Sequence, residues 1–336
     1  HHDLWDYDLA TPPALVEVRR DGRVVPAVVV ATKMGYLFVL HRETGAPLFP
    51  VEERPVPAST VPGEVAWPTQ PVPVLPRPLA RQGLDPDDVW GLTPVDRGAC
   101  RALVDSLRHD GMYAPPSVRG TVVMPGFLGG MEWGGVGWDP ESQLVVTNVN
   151  NLATVATLIR RDSLARVEPR PNSTLASQDP AAFGVRREVL LSPLGLPCTP
   201  PPWGTLAAVD LATGAVRWQV PLGTVRDLAR IPTPGAWGSP NLGGPLVTGG
   251  LVFIGSTMDR RLRAFDLATG AEVWSDALPA SAQATPMTYR ASPGGRQYIV
   301  VAAGGHDAMR SALGDHVVAY ALGGERAWAT RSGGGS

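Results

Sequence analysis

Apolar residues in this chain come in short runs, each cut off by glycine, proline or a small polar residue. Leu15–Val18 and Val24–Ala31 flank Asp21-Gly22, and Tyr36–Leu40 follows the turn Lys33-Met34-Gly35. Further runs cover Thr121–Met124, Leu144–Asn148, 205–220, 246–276, Gln283–Tyr289, Gln297–Ala302 and His316–Leu322. Runs of this length between turn residues predict β-strands. Asp-Gly between two of them predicts a tight hairpin. Only residues 94–109 read as a helix. Thr93 can cap it, Pro94 suits its first turn and Gly111 can end it. Val95, Ala99, Leu103 and Leu107 would share its packing face. Residues 50–92 and 150–202 are proline-rich or polar and read as extended excursions rather than sheet.

Two of the β segments repeat each other. Ala208–Trp218 and Ala264–Trp274 share the pattern A-x-D-L-A-T-G-A-x-x-W. In each copy an apolar strand ends in Asp, Thr-Gly turns the chain, and a return strand carries a tryptophan. A worn third copy runs from Val39 to Phe49, with His41 in place of Asp and Phe49 in place of Trp. Such a hairpin cannot bury its own face and must stack on others like it. Radially arranged four-stranded sheets, a β-propeller, accommodate it. The count is about four blades with a partial fifth. They form one domain over 1–325, with insertions at about 50–120 and 150–202 and a tail or linker at 326–336.

Composition narrows the function classes. The 336 residues are 44% hydrophobic with a net charge of −2, which gives no argument for nucleic acid or an anionic surface. No apolar run is long enough to span a bilayer. The chain lacks an initiator Met and opens on a dense aromatic stretch, so it is expected to be cut from a longer protein. Cys100 and Cys198 would pair in an oxidising compartment and remain buried thiols in a reducing one. Of the 29 basic residues, Lys33 is the only lysine, which reads either as a position that needs a compact ammonium, which guanidinium does not replace, or as chance. No His/Cys cluster has zinc spacing. No glycine-rich phosphate loop precedes a helix.

Several stretches together resemble the membrane-bound, pyrroloquinoline quinone (PQQ)-dependent dehydrogenases of the glucose/quinate/shikimate group. They are HHDLWDYDL (1–9), ATKMGYLFVLHRETG (31–45), APPSVRGTVVMPGFLGGMEWGG (114–135), LLSPLGLPCTPPPWG (190–204), LGGPLVTGGLVFIGSTMDRRLRAFDLATGAEVW (242–274), QATPMTY (283–289) and AAGGHDA (302–308). The resemblance implies an all-β, eight-bladed quinoprotein propeller holding PQQ and Ca²⁺ or Mg²⁺, of which this chain is the C-terminal half. The first blades, the membrane anchor and the main metal ligands are then expected before residue 1. It also implies a sugar or polyol substrate, ubiquinone as electron acceptor, and the periplasmic face of the bacterial inner membrane.

Alcohol oxidation of this kind needs a base for the hydroxyl proton and positive charge near the acceptor oxygen. Asp6, in Leu4-Trp5-Asp6, matches the family's base. Asp3 and Asp8 are rival carboxylates that read as turn-capping or surface acids. Lys33 matches the family's PQQ-contacting cation. Asn148, Trp133, Asp259 and His306 match further positions near the cofactor or substrate. Glucose is the first expectation and quinate or shikimate the second. A non-catalytic propeller scaffold, or an inactive fragment, is the reading of another class.

Overall fold

The computed structural model describes residues 1–226, 233–309, 311–321 and 327–329. The first sheet contains β1 (Ala14–Arg20), β2 (Arg23–Ala31) and β3 (Leu37–His41), paired antiparallel in that order. Asp21 and Gly22 turn β1 into β2 with φ of 51° and 72°, the double left-handed turn that suits right-twisted strands. Val16 and Val18 are buried while Leu15 and Glu17 are exposed, so one face packs inward. A fourth strand is missing. The return segment makes only a bridge, with Pro47 opposite Leu40, because prolines 47 and 50 take away ladder donors.

Residues expected to lie outside sheets contribute strands. β4 (Val51–Pro55) and β5 (Thr69–Pro73) form a two-stranded ribbon, in which each proline can face away from the single partner. The helix α1 spans Pro94–Ser106 and stops short of the expected 109. Thr93 caps it, accepting the Asp96 N–H at 3.1 Å. Its buried positions are Asp96, Cys100 and Val104, whereas Val95 and Leu103 are exposed. The expected Val95–Leu103 face was therefore the wrong one. The Cys100–Cys198 disulfide ties the helix down on its other side, and Asp96 accepts the Leu92 N–H there at 3.0 Å.

The strands then interleave. β6 (Thr121–Val123) precedes β7 (Gly137–Asp139) and β8 (Leu144–Asn150), which belong to a different sheet. The segment 150–202, read from sequence as an excursion, largely returns to β6. Its strands β9 (Thr154–Arg160), β10 (Ser173–Ala176) and β11 (Phe183–Val189) complete a four-stranded sheet in the order β10-β11-β9-β6. The consecutive charges Arg186-Arg187-Glu188 in β11 hide it from a hydrophobicity reading. β12 (Gly204–Asp210) and β13 (Ala215–Pro221) then finish the sheet of β7 and β8.

Two regular sheets follow. β14 (Leu246–Thr248), β15 (Leu251–Ile254), β16 (Arg261–Asp266) and β17 (Glu272–Ala277) form one. The other contains β18 (Met287–Arg290), β19 (Gln297–Ala303), β20 (His316–Ala321) and β21 (Ala327–Ala329). The predicted strand end at Leu322 and the tail beyond 329 lie outside the described residues. Among the described residues, one three-stranded and four four-stranded sheets stand beside the β4-β5 ribbon, in line with about four blades and a partial fifth.

The sheets stack face to face in a fan. Val29, Val39, Val145 and Val209 fill the first gap, Val146, Leu206, Val252 and Phe265 the second, and Leu262, Ile299 and Val318 the third. Each buried Val or Leu contributes about 1.5–3 kcal/mol. The repeat residues staple these gaps. Trp218 donates its indole N–H to Leu267 O of the next sheet at 2.9 Å. Its ring covers Gly270, where an added Cβ would sit 2.7 Å from ring carbons and where φ is 74°. Phe49 lies over Gly214 in the same way, 3.0 Å from where that Cβ would be. The Thr-Gly turn therefore needs glycine twice over, for its backbone and for the aromatic that lies on it.

Candidate functional site

The first residues bend around one carboxylate. Asp3 Oδ1 accepts the Trp5 N–H and Oδ2 the Tyr7 N–H, both at 2.7 Å. In the resulting turn Asp6 has φ 67°, a left-handed conformation that Asp tolerates better than most residues. Trp5 and Tyr7 are buried on either side of it. Tyr7 donates its hydroxyl to Pro125 O at 2.9 Å. Asp6 remains half exposed and meets two cations, Lys33 at 3.8 Å and Arg187 at 3.3 Å.

Lys33 follows β2 in the Thr32–Gly35 turn. The loop Gly126–Gly130 closes over its stem, with Gly130 N donating to Lys33 O at 2.6 Å. A Cβ at Gly129 would fall 2.7 Å from Lys33 Cγ, so only glycine permits that closure. The side chain is 9% exposed, and its ammonium faces Asp8 at 2.5 Å, Glu132 at 3.7 Å and Asp6 at 3.8 Å. Asp8 thus proves to be the main partner of the lone lysine, while Asp3 is the turn-capping acid.

The electrostatics separate these groups. Burial raises the Asp6 carboxyl above its usual 3.8, and the charges of Lys33 and Arg187 offset only part of that. Burial likewise raises Glu132, against the hydrogen bond from Trp133 N–H and the charge of Lys33. Burial by itself would lower Lys33. The bond to Asp8 and the charges of Asp6 and Glu132 outweigh it and hold the ammonium above 10.5. A permanently charged ammonium therefore stands beside a carboxylate shifted toward proton acceptance.

The other predicted residues are dispersed. Trp133 adjoins Glu132 and is 41% exposed. Asn148, on the fully buried strand β8, donates to Asn241 Oδ1 at 2.6 Å. Asn150 donates to Asn241 O at 2.8 Å, so the segment before β14 is tied to β8 by three asparagines. Asp259 is buried in a pair with Arg263, at 2.5 Å and 3.0 Å, and also accepts from Thr257 Oγ1 at 2.6 Å and Thr224 N at 2.8 Å. Despite burial, those bonds hold its carboxyl below 3.8. His306 follows Gly305, whose φ is 69°. Its backbone N–H reaches Ser311 Oγ at 2.8 Å, and its buried Nδ1 has no hydrogen-bond partner. Among the described residues no hydrogen bond or ion pair joins Asn148, Asp259 or His306 to the Asp6–Lys33 group.

Sequence reasoning missed Glu132 and Arg187. Glu132 stood in a quoted motif without a role. Arg187 lies on β11, inside the supposed excursion, and only the pairing of β11 with β9 brings it to Asp6. Arg187 also borders a cavity of about 650 Å³ with Phe127, Leu152, Leu196, Trp203 and Met258.

The site fits the carbonyl end of PQQ, since a nearly buried ammonium and a carboxylate of raised pKa are the groups a reducible quinone oxygen and a reacting hydroxyl require. It does not by itself fit a divalent cation. Among the described residues no three His, Cys, Asp or Glu are arranged to hold a metal ion, and the Lys33 ammonium lies among Asp6, Asp8 and Glu132.

Residues 1–299 match the family model for the PQQ glucose/ethanol/alcohol dehydrogenase β-propeller domain. The quinoprotein glucose dehydrogenase A of Acinetobacter calcoaceticus is 42% identical, over 96% of this chain and 41% of that protein. The probable quinate dehydrogenase (quinone) of Xanthomonas campestris pv. juglandis is 41% identical, over 96% and 42%. The crystal structure of quinohemoprotein alcohol dehydrogenase from Comamonas testosteroni superposes with a TM-score of 0.55 at 20% identity, over 98% of this chain and 40% of that one, a likeness of fold. The chain spans about two fifths of the length of these curated relatives, and it belongs to the β-propeller domain family of PQQ-dependent glucose, ethanol and alcohol dehydrogenases.

Proposed function

We propose that this chain carries the proton-accepting and cationic part of the active site of a PQQ-dependent dehydrogenase that oxidises a sugar or polyol hydroxyl, glucose to gluconolactone first among them. One observation carries the reading. The Asp6 carboxyl, raised by burial, stands 3.8 Å from the nearly buried ammonium of Lys33. Asp6 takes the substrate's hydroxyl proton, a role favoured by a pKa closer to working pH. Lys33 stays charged and stabilises negative charge on the acceptor oxygen. PQQ, when bound, supplies the hydride acceptor, and Ca²⁺ or Mg²⁺ supplies Lewis-acid polarisation.

We assign cofactor contacts to Lys33, Trp133, Asn148, Asp259 and His306, and the main metal ligands to sequence preceding residue 1. The remaining blades, the passage of electrons to ubiquinone and the periplasmic face of the inner membrane belong to the same proposal. The Cys100–Cys198 disulfide supports an oxidising compartment. Quinate or shikimate is the second substrate reading, since relatives named for glucose and for quinate stand at 42% and 41% identity.

The test is dye reduction by the full-length protein that contains this chain, loaded with PQQ and Ca²⁺ or Mg²⁺, with glucose and quinate compared side by side. Asp6→Asn is expected to remove turnover on both. An Asp6→Asn protein as active as its parent would refute the base assignment, and robust turnover by the 336 residues alone would refute the partial-site reading.

A further inference from the structure

Asp6 is the only group in its cluster with a cation on each side. One is Lys33, from the turn after β2. The other, Arg187, comes from a strand 181 residues away in sequence. The strand holding it is not a loose surface segment. β11 pairs along its length with β9, placing Arg187 opposite Ala156, a fully buried residue of the core beneath the site. Its neighbours on the strand are engaged elsewhere, with Arg186 bonded to Glu188 at 3.1 Å and Arg170 to Glu188 at 3.4 Å. Arg187 lies over the Phe127 ring, 5.1 Å from its centroid. Phe127 belongs to the same loop that closes over Lys33. A guanidinium on an aromatic face is fixed in its plane, and this one places Nη1 3.3 Å from Asp6 Oδ2.

We propose that Arg187 is a positioning residue for Asp6. Clamped over Phe127, it orients the carboxylate toward the cavity that both Arg187 and Phe127 border and sets a positive charge against it. The inference rests on Asp6 being the base, as proposed above. It gives the insertion at about 150–202 a function, because that insertion builds the strand bearing the second cation. Every charged group facing Asp6 enters the balance. Lys33 and Arg187 favour its ionised form, while Asp3 and Asp8 oppose it. Glu132 faces Lys33 from the opposite loop. With Arg187 neutral, Asp6 has one cation against two nearby carboxylates, and Lys33 is already bonded to Asp8. The Asp6 pKa must then rise. Both partners are more than a third exposed, so solvent screens the effect and holds it to about one pH unit.

Arg187→Gln and Arg187→Lys in the full-length protein test this with two readouts. The first is the acid limb of kcat/KM against pH in the PQQ-loaded enzyme. The second needs no catalysis. A water-soluble carbodiimide couples to carboxyls in their protonated form, so peptide-mapped labelling of Asp6 in the apoprotein falls as pH rises through its pKa. Arg187→Gln is expected to move both midpoints up by about one unit, and Arg187→Lys by less than half of that. Phe127→Leu, which keeps the charge and removes its support, should give a smaller shift in the same direction and stands in if the Gln variant misfolds. A labelling midpoint unmoved by Arg187→Gln, or an acid limb that moves while labelling does not, overturns the proposal. Should the full-length protein oxidise neither glucose nor quinate, the labelling still reads the Arg187–Asp6 pair, so the two readings fail separately.

Discussion

Asp6 and Asp259 are both carboxylates paired with arginine, and they shift in opposite directions. Asp6 is 39% exposed, yet its carboxyl is raised. Asp259 is 5% exposed, yet its carboxyl is lowered. Exposure alone would predict the reverse. The difference lies in the hydrogen bonds. Arg263, Thr257 and Thr224 bring four donor contacts to Asp259, whereas Asp6 accepts one bond, from Arg187. A carboxylate saturated with donors is held in place and keeps its charge, whereas a partly desolvated one with few donors can exchange a proton. The two matching motifs thus hold acids of opposite character.

The largest effects should separate the two acids by stability. Asp6→Asn should lower kcat/KM of the loaded full-length enzyme by about 10²–10⁴-fold, while unfolding free energy stays within about 0.5 kcal/mol. Asp259→Ala should do the opposite to stability. It strands the buried Arg263 guanidinium, also bonded to Glu272 at 3.2 Å, and should cost about 3–5 kcal/mol in urea unfolding. Equal melting of the two variants would erase the contrast. Next in size is the Cys100–Cys198 link, which joins α1 to the segment flanking the cavity across 98 residues. Replacing both cysteines by serine should destabilise by about 2–4 kcal/mol and open the 151–203 region to protease first. The smallest effect is in pH. Asp259 has a folded pKa below its unfolded value, so its contribution is present above the unfolded value near 3.8 and is lost as pH falls through the folded one. Asp6 is raised, so stability falls slightly as pH climbs from 3.8 to its folded value. Acid-unfolding curves of Asp259→Asn should therefore flatten below pH 3.8, and those of Asp6→Asn should flatten above it.

The hairpins, the Thr-Gly turns and the stapling aromatics were legible in sequence because their physics is local. Asp21-Gly22 specifies its turn in any context. Gly214 and Gly270 are required by the backbone they sit in. The strand β11 was not legible, since its Arg186-Arg187-Glu188 run breaks the apolar pattern and only pairing with β9 places it in a sheet. The helix face was misread for a similar reason. Spacing ranked Val95 and Leu103 as apolar, but a disulfide to a residue 98 positions away decides which side is buried.

The site divides along the same line. By itself the sequence determined the fold class, the Asp21-Gly22 and Thr-Gly turns, and the uniqueness of Lys33, because these depend on residues close together in the chain. Only the tertiary structure decided that Asp8 holds Lys33, that Glu132 and Arg187 complete the cluster, and that Asp259 is committed to Arg263. Burial and Coulomb energy depend on distance through space, and those distances exist only once the sheets have stacked.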